Sequence, residues 1–143
     1  MCLYRVNICL LIKKEGEWMQ TVVLLMWRKA VASNLAATLE EKSGIHMHYE
    51  QDYPAAEASI KNHSAKAALI EVSQNGEFDV SYCLNLCARL REKTPNCKLI
   101  LMCPEQDKDC VAAAVNAKKN RRIDEFIFYD TSIEYLATKL ISM

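Results

Sequence analysis

The chain has 143 residues, of which 51% are hydrophobic and 25% are charged, so it can bury one core as a single ordinary domain. Its 18 basic residues balance its 18 acidic ones, which excludes a net charge that attracts nucleic acid or acidic membranes. Its apolar runs are too short to span a bilayer. Its seven cysteines are odd in number and glycine and proline are scarce, so we expect a reduced, cytoplasmic protein rather than a disulfide scaffold.

Five apolar runs alternate with five segments of helical periodicity from residue 21 onward. The runs predict strands over residues 21–26, 45–49, 67–72, 98–102 and 125–129. The periodic segments predict helices over about 29–42, 54–62, 78–93 and 107–119, with a last helix that opens near 131. Gly44 supplies a C-terminal stop for the first helix, and Pro54 suits the first turn of the second. The alternation predicts an α/β fold with a doubly wound parallel sheet and helices on both faces.

The buried helix faces follow from the same periodicity. Cys83 and Cys87 fall on the apolar face of the third helix, so their i, i+4 spacing indicates core packing rather than a metal or redox pair. In the fourth helix the spacing turns Val115 inward. The segment Thr131–Glu134 has the spacing of a capping box for the last helix.

In such a sheet the functional site lies outside the carboxyl ends of the strands, where the strand order reverses. For the strand order 2-1-3-4-5, five residues would meet there. These are Met26, Trp27, Glu71, Cys103 and Tyr129. Glu71 is the distinctive member, because it places a carboxylate at the end of an otherwise apolar strand.

This arrangement resembles the CheY-like receiver domain of bacterial two-component response regulators. The resemblance runs from Thr21 to Met143 and rests on element order and on the strand ends at 69–71, 101–103 and 124–127. It implies a flavodoxin-like, five-stranded parallel sheet in the order 2-1-3-4-5. It also divides the chain into an N-terminal extension, residues 1–18, and a receiver-like domain, residues 19–143.

At the functional positions the chain departs from the family pattern. The acidic pair that holds Mg²⁺ in the family falls on Met26 and Trp27, which offer no hard oxygen ligands. The phosphoacceptor aspartate falls on Glu71. The hydroxyl residue that ends strand four falls on Cys103, and the lysine that ends strand five falls on Tyr129.

Phe126 keeps the family's aromatic residue in strand five. Phosphoryl transfer needs cations that neutralise the developing charge, and this pattern supplies neither the metal ligands nor the lysine. We therefore expect a degenerate pseudo-receiver that is not an enzyme and uses no metal or cofactor. Two interpretations of Glu71 stay open: a fixed negative charge in place of a phosphoryl group, or a carboxylate that ends a strand and faces water.

Other candidate site residues are a thiol and two histidines. Cys103 should lie in the strand-end cleft, where a partly exposed thiol near positive charge becomes reactive, although no lysine falls beside it. His46 and His48 share one face of the second strand, but no third ligand converges with them. Solvated histidines are the expected outcome.

A basic segment joins the fourth helix to the fifth strand, at Lys118, Lys119, Arg121 and Arg122. Such residues are commonly solvated at a helix end, where the macrodipole favours them. The resemblance also places them beside the face that receivers use for partners, which we expect to be exposed and mostly charged. This predicts an acidic protein partner or a homodimer through the helix 4, strand 5 and helix 5 face, with no nucleic acid and no membrane.

Two function classes follow. The first is a phosphorylation-independent receiver-like module that binds proteins in a bacterial two-component or related pathway. The alternative is a small-ligand or redox-responsive protein on a flavodoxin-like scaffold. The segment 27–30 disfavours the alternative, because it lacks the glycine and hydroxyl residues that cradle a phosphate.

Residues 1–18 do not fit the predicted sheet, because its first strand is central and both neighbouring places are taken. Residues 14–19 can be encoded by a purine-rich stretch that resembles a bacterial ribosome-binding site followed by a start codon. We therefore hypothesise that the native protein starts at Met19.

Overall fold

The computed structural model describes residues 20–143. The extension 1–18 and the hypothesis about Met19 lie outside the described residues. The strands are β1 (Thr21–Leu25), β2 (His46–Glu50), β3 (Ala67–Glu71), β4 (Lys98–Cys103) and β5 (Glu125–Phe128). The α-helices are α1 (Lys29–Ser43), α2 (Ala56–His63), α3 (Val80–Lys93), α4 (Lys108–Lys119) and α5 (Ile133–Ser142).

The five strands form one parallel sheet in the order β2-β1-β3-β4-β5, which confirms the predicted fold class. β1 and β3 are buried at every residue, because they are central strands with helices on both faces. The register pairs Leu24 with Leu69 and Leu69 with Ile100. The carboxyl ends of β1, β3 and β4 therefore reach the same edge of the sheet.

Two apolar layers cover the two faces of the sheet. Side chains alternate along each strand, so Val22 and Leu24 of β1 pack with α1 and α5, whereas Val23 and Leu25 pack with α2, α3 and α4. The second layer contains Cys83 and Cys87, both fully buried as predicted. The remaining described cysteines, Cys97, Cys103 and Cys110, are also buried in that layer.

The buried face of α4 and the start of α5 differ from the sequence predictions. Val115 is 41% exposed, because α4 buries the i, i+4, i+7 stripe of Cys110, Ala114 and Ala117 instead. The capping-box prediction is also wrong. α5 begins after Ser132, whose side chain accepts a hydrogen bond from the Tyr135 amide at 3.1 Å.

Gly44 ends α1 as predicted. Its φ of +72° is a left-handed conformation, and its amide donates to the Glu40 carbonyl at 2.9 Å. Pro54 lies in a 3₁₀ turn, Tyr53–Ala55, so α2 begins two residues later than Pro54.

Candidate functional site

The site at the carboxyl edge of the sheet is built around Glu71, the last residue of β3. Trp27 lies in the β1–α1 loop and Tyr129 directly follows β5, and both lie beside Glu71 as predicted. Met26 and Cys103 lie at the same edge but are fully buried. Phe126 lies within β5, half-buried against the α2–α3–α4 layer.

The Glu71 side chain is fully buried. Its Oε1 accepts hydrogen bonds from the backbone amides of Trp27 at 3.1 Å and Arg28 at 3.4 Å. Its Oε2 forms an ion pair with the Nε of Arg28. The interpretation that Glu71 faces water is therefore wrong, since a carboxylate removed from water requires such charged and hydrogen-bonding partners.

Arg28 is the principal site residue that sequence reasoning missed. Its guanidinium carbon lies 4.7 Å from the ring centroid of Tyr129 and 5.5 Å from that of Trp27, within the range of cation–π contacts. The available signal was its place in the loop after β1, which a parallel sheet brings beside the end of β3. The family pattern drew attention to the preceding two positions instead.

Tyr129 occupies the position of the family's lysine but supplies a neutral hydroxyl. Its hydroxyl donates a hydrogen bond to the carbonyl oxygen of Val72. Burial and, to a lesser extent, the charge of Glu71 raise the pKa of Tyr129 above its usual value. The residue is therefore a hydrogen-bond donor at neutral pH and contributes no cation.

A second tyrosine holds the main chain at the end of β3. The hydroxyl of the fully buried Tyr53 donates to the carbonyl oxygen of Glu71 at 2.6 Å. The Tyr53 ring stacks on Phe78 with centroids 4.0 Å apart. Sequence analysis missed Tyr53, because a single aromatic residue after an edge strand carries no positional signal.

The sequence analysis placed Cys103 in the strand-end cleft, and the structure contradicts that prediction. Its thiol is buried and points to the α2–α3–α4 layer together with Leu99 and Leu101 of the same strand. A hydrogen bond with Cys110, together with burial, raises the pKa of Cys103, so the predicted place in the cleft is wrong and the thiol lacks the exposure that a reactive cysteine needs. Glu71 pairs with Met102 in the register of β3 and β4, so the alternation along β4 places Cys103 on the side of the sheet away from Glu71.

Above the ion pair lies a cleft of about 300 Å³. Its lining comprises Trp27, Arg28, Ser73, Gln74, Asn75, Pro104 and Tyr129. A larger cavity of about 430 Å³ lies at the opposite end of the sheet, against Ala65 and Cys97, away from this chemistry. Within residues 20–143 no group of three or more histidine, cysteine or acidic side chains is placed to hold a metal ion.

The two histidines of β2 have different surroundings. His46 is exposed, as expected, with its Nδ1 3.1 Å from Glu40 Oε2. His48 is only partly exposed, and its ring stacks on His63 of α2 with centroids 3.9 Å apart. The prediction of a solvated His48 is therefore wrong, because α2 covers that side of the edge strand.

The four basic residues of the predicted interface divide into two groups. Lys118 binds Glu125 at 2.6 Å, and Glu125 also binds Lys139 of α5 at 2.9 Å. Lys119, Arg121 and Arg122 are exposed, and none forms an ion pair with a carboxylate in the part of the chain that the structure describes. The structure thus leaves three basic groups open to solvent beside β5.

The sequence analysis expected the strand of this face to be exposed and mostly charged, and that expectation is wrong. β5 exposes parts of Phe126 and Phe128, whose ring centroids are 6.0 Å apart, while Glu125 is buried between two lysines. Val115 of α4 adds an exposed apolar group. We call the surface formed by α4, β5, α5 and the connecting residues 120–124 the α4–β5–α5 face.

Comparison with known proteins identifies the fold. No family model matches the chain, and no curated protein is similar to it in sequence. A response regulator from Thermotoga maritima is 20% identical with a TM-score of 0.69, covering 87% of this chain and 99% of that one. A CheY-like receiver domain protein from Methanospirillum hungatei JF-1 is 15% identical with a TM-score of 0.69, covering 87% and 92%.

A structure described as adenylate cyclase from Rhodopirellula baltica is also similar, with 15% identity, a TM-score of 0.69 and coverage of 86% and 87%. At these identities the likeness shows the fold, which is CheY-like. The fold alone does not determine the activity. No helix within residues 20–143 is long and apolar enough to cross a membrane.

Proposed function

We propose that this chain is a receiver-like signalling module that works without phosphorylation and binds another protein through the α4–β5–α5 face. The observation that supports this best is the buried Glu71–Arg28 ion pair. The carboxylate at the phosphoacceptor position already has a permanent cationic partner from its own chain. The receiver domains among the similar structures favour a role in a bacterial two-component or related regulatory pathway.

The surroundings of Glu71 oppose phosphoryl transfer. A carboxylate that attacks a phosphoryl group needs a free oxygen and cations at the transferring group. Here both oxygens of Glu71 accept hydrogen bonds from Trp27 or Arg28. The buried Met26 offers a thioether, a poor ligand for Mg²⁺, and Tyr129 is neutral. We therefore propose a non-enzymatic, cytoplasmic module without a cofactor.

The α4–β5–α5 face favours a partner with an acidic surface. Three exposed basic groups lie beside the half-buried rings of Phe126 and Phe128, and apolar anchors with a charged rim are typical of protein interfaces. Exposed charges are screened over about 8 to 10 Å at physiological salt, so we expect binding to weaken as salt rises. Self-association would place the same face against a second copy.

Treatment with acetyl phosphate or beryllofluoride in the presence of Mg²⁺ tests phosphorylation independence. We expect no added mass and no change in the amide spectrum, because Met26 and Tyr129 offer neither a hard oxygen ligand for Mg²⁺ nor a cation for the phosphoryl oxygens. A receiver domain with its acidic pair intact, treated in parallel, shows that the reagents are active. A stable acyl phosphate on Glu71, detected by mass spectrometry, would overturn the proposal.

Reversing the charge of two basic residues tests whether the α4–β5–α5 face binds the partner. Arg121→Glu with Arg122→Glu should weaken both capture of a partner and any self-association seen by sedimentation, while the fold is retained. The matched control is Arg89→Glu with Lys93→Glu, an equal charge change at exposed positions of α3. Equal binding by the two double variants would remove this face from consideration.

A further inference from the structure

Arg28 connects three elements that are distant in the chain. Its side chain leaves the β1–α1 loop, and its Nε bonds Glu71 at the end of β3. Its guanidinium carbon lies 4.7 Å from the ring centroid of Tyr129, directly after β5. A planar guanidinium can accept this arrangement, because pairing through Nε leaves its flat face free to stack on an aromatic ring.

Tyr129 is held at both ends of its side chain. The ring contacts Arg28, and the hydroxyl donates to the carbonyl oxygen of Val72. The turn that follows is closed by two hydrogen bonds, from the Phe128 amide to Thr131 Oγ1 at 3.1 Å and from the Thr131 amide to the Phe128 carbonyl at 3.0 Å. The Tyr129 side chain therefore contacts the end of β3, while its main chain lies inside the β5–α5 turn.

We propose that Arg28 is a positioning residue that couples the charge of Glu71 to Tyr129 and thereby sets the β5–α5 turn at the border of the α4–β5–α5 face. The hydrogen bonds of the Glu71 carboxylate go to Trp27 and Arg28, so the side-chain contacts that join Glu71 to Tyr129 run through the arginine. The fixed charge of Glu71 then holds the turn in one position without a phosphoryl group. This inference rests on the proposed function only for the use of the face in binding.

Amide spectra of the full chain test the coupling through a pair of variants. Arg28→Gln should shift the amide signals of Val72, Asp130 and Thr131, because Tyr129 loses the cation stacked on its ring. In a Tyr129→Leu background, the same change at Arg28 should produce no further shift at Asp130 and Thr131. Additive shifts in the two backgrounds would overturn the coupling.

Arg91→Gln is the matched control. Arg91 pairs with Asp124 at 2.9 Å, so this variant also breaks an arginine–carboxylate pair, but next to the start of β5. It should leave the signals of Asp130 and Thr131 in place. Shifts there as large as those of Arg28→Gln would indicate a general response of β5 and would overturn the specific role of Arg28.

A conservative variant separates the effect of Arg28 on the β5–α5 turn from its effect on the stability of the fold. Arg28→Lys keeps the charge opposite Glu71 but lacks the planar guanidinium. We expect it to retain the fold and still shift Asp130 and Thr131, since the stacking on Tyr129 is lost. If Arg28→Gln does not fold, the two-background comparison is made with Arg28→Lys. Wild-type signals at both amides in Arg28→Lys would contradict the proposed stacking role.

The two proposals fail separately. Phosphorylation of Glu71, or equal binding by the two charge-reversal double variants, would overturn the proposed function without changing the measured coupling. Unchanged turn signals in the Arg28 variants would overturn the coupling, while an unphosphorylated chain that binds through Arg121 and Arg122 would still support the proposed function.

Discussion

At the residue scale, the end of β3 depends on side chains brought from distant parts of the chain. Glu71 meets Arg28 across 43 residues and the hydroxyl of Tyr53 across 18, while its neighbour Val72 accepts from Tyr129 across 57. A buried carboxylate without a counter-charge is strongly destabilising. Arg28 therefore supports the fold as well as the site.

Arg28→Ala should lower the free energy of unfolding by about 3 kcal/mol, the lower end of the range for breaking a buried ion pair, because Arg28 keeps one-third of its side chain exposed. Urea unfolding measures this loss. As a control, Arg91→Ala removes a more exposed pair and should cost about 1 kcal/mol or less. Equal losses in the two variants would show that burial of Glu71 is not the cause.

At the element scale, two edge strands are tied to their helices by polar contacts. Glu125 of β5 binds Lys118 of α4 and Lys139 of α5, so one carboxylate links the helices on both faces of the sheet. At the other edge, His48 of β2 stacks on His63 of α2, and His63 Nδ1 lies 2.9 Å from the Ser59 carbonyl oxygen. Each edge strand pairs with only one other strand. Side-chain contacts of this kind therefore help to hold the neighbouring helices against the sheet edges.

The His48–His63 stack predicts a pH-dependent stability. Burial, followed by the charge of His63, lowers the pKa of His48 from its usual 6.5. Below that value the unfolded chain binds more protons than the folded one, so the free energy of unfolding falls as pH falls from about 7 to 5. His48→Gln should flatten this dependence in urea unfolding measured across the range.

A matched variant identifies the histidine as the source. Hydrogen bonds from Ser59 and Asp52 lower the pKa of Glu50 despite its burial. The contribution of ionised Glu50 to the free energy of unfolding is therefore lost only as the pH falls to about 4.5, the usual carboxyl pKa, and below it. Glu50→Gln should therefore not flatten the slope between about pH 5 and 7, because the charge of Glu50 raises the pKa of His48 and its removal only lowers that pKa further. An equally steep slope in His48→Gln would contradict the prediction.

At the scale of the whole molecule, residues 20–143 form three layers, with helices on both faces of one sheet. The five-stranded sheet lies between α1 and α5 on one face and α2, α3 and α4 on the other. Both central strands already have strand neighbours on each side. The core of the described domain is therefore complete without a further central strand.

A chain that begins at Met19 should melt within about 5 °C of the full chain, because the core of the described domain is complete without a further central strand. A drop of about 5 °C corresponds to roughly 1 kcal/mol for a domain of this size. Thermal unfolding followed by circular dichroism measures both. A chain that ends at Asp130 provides a contrast, because it loses the buried Leu136 and Leu140 of α5 and should melt far lower. A large drop on removal of residues 1–18 would contradict the proposed start.

The sequence by itself was sufficient for the fold class, because apolar periodicity is a local property of each segment. The apolar run 67–71 predicted a central strand, and helical spacing predicted that Cys83 and Cys87 lie on the buried face of their helix. Together with the strand order 2-1-3-4-5 that the family resemblance implies, these strands located Glu71, Trp27 and Tyr129 at one edge of the sheet. It failed at Val115, because α4 buries the smaller side chains of Cys110, Ala114 and Ala117 in place of the valine.

Only the tertiary structure decided what those residues do. Whether Glu71 faced water or a cation depended on the path of the loop that carries Arg28, and whether Cys103 faced the cleft or the core depended on the register and alternation of β4. Neither is a property of a short segment. The pairing of a buried charge is determined by which distant side chain reaches it, because the energy of the pair depends on separation and on the exclusion of water from both groups.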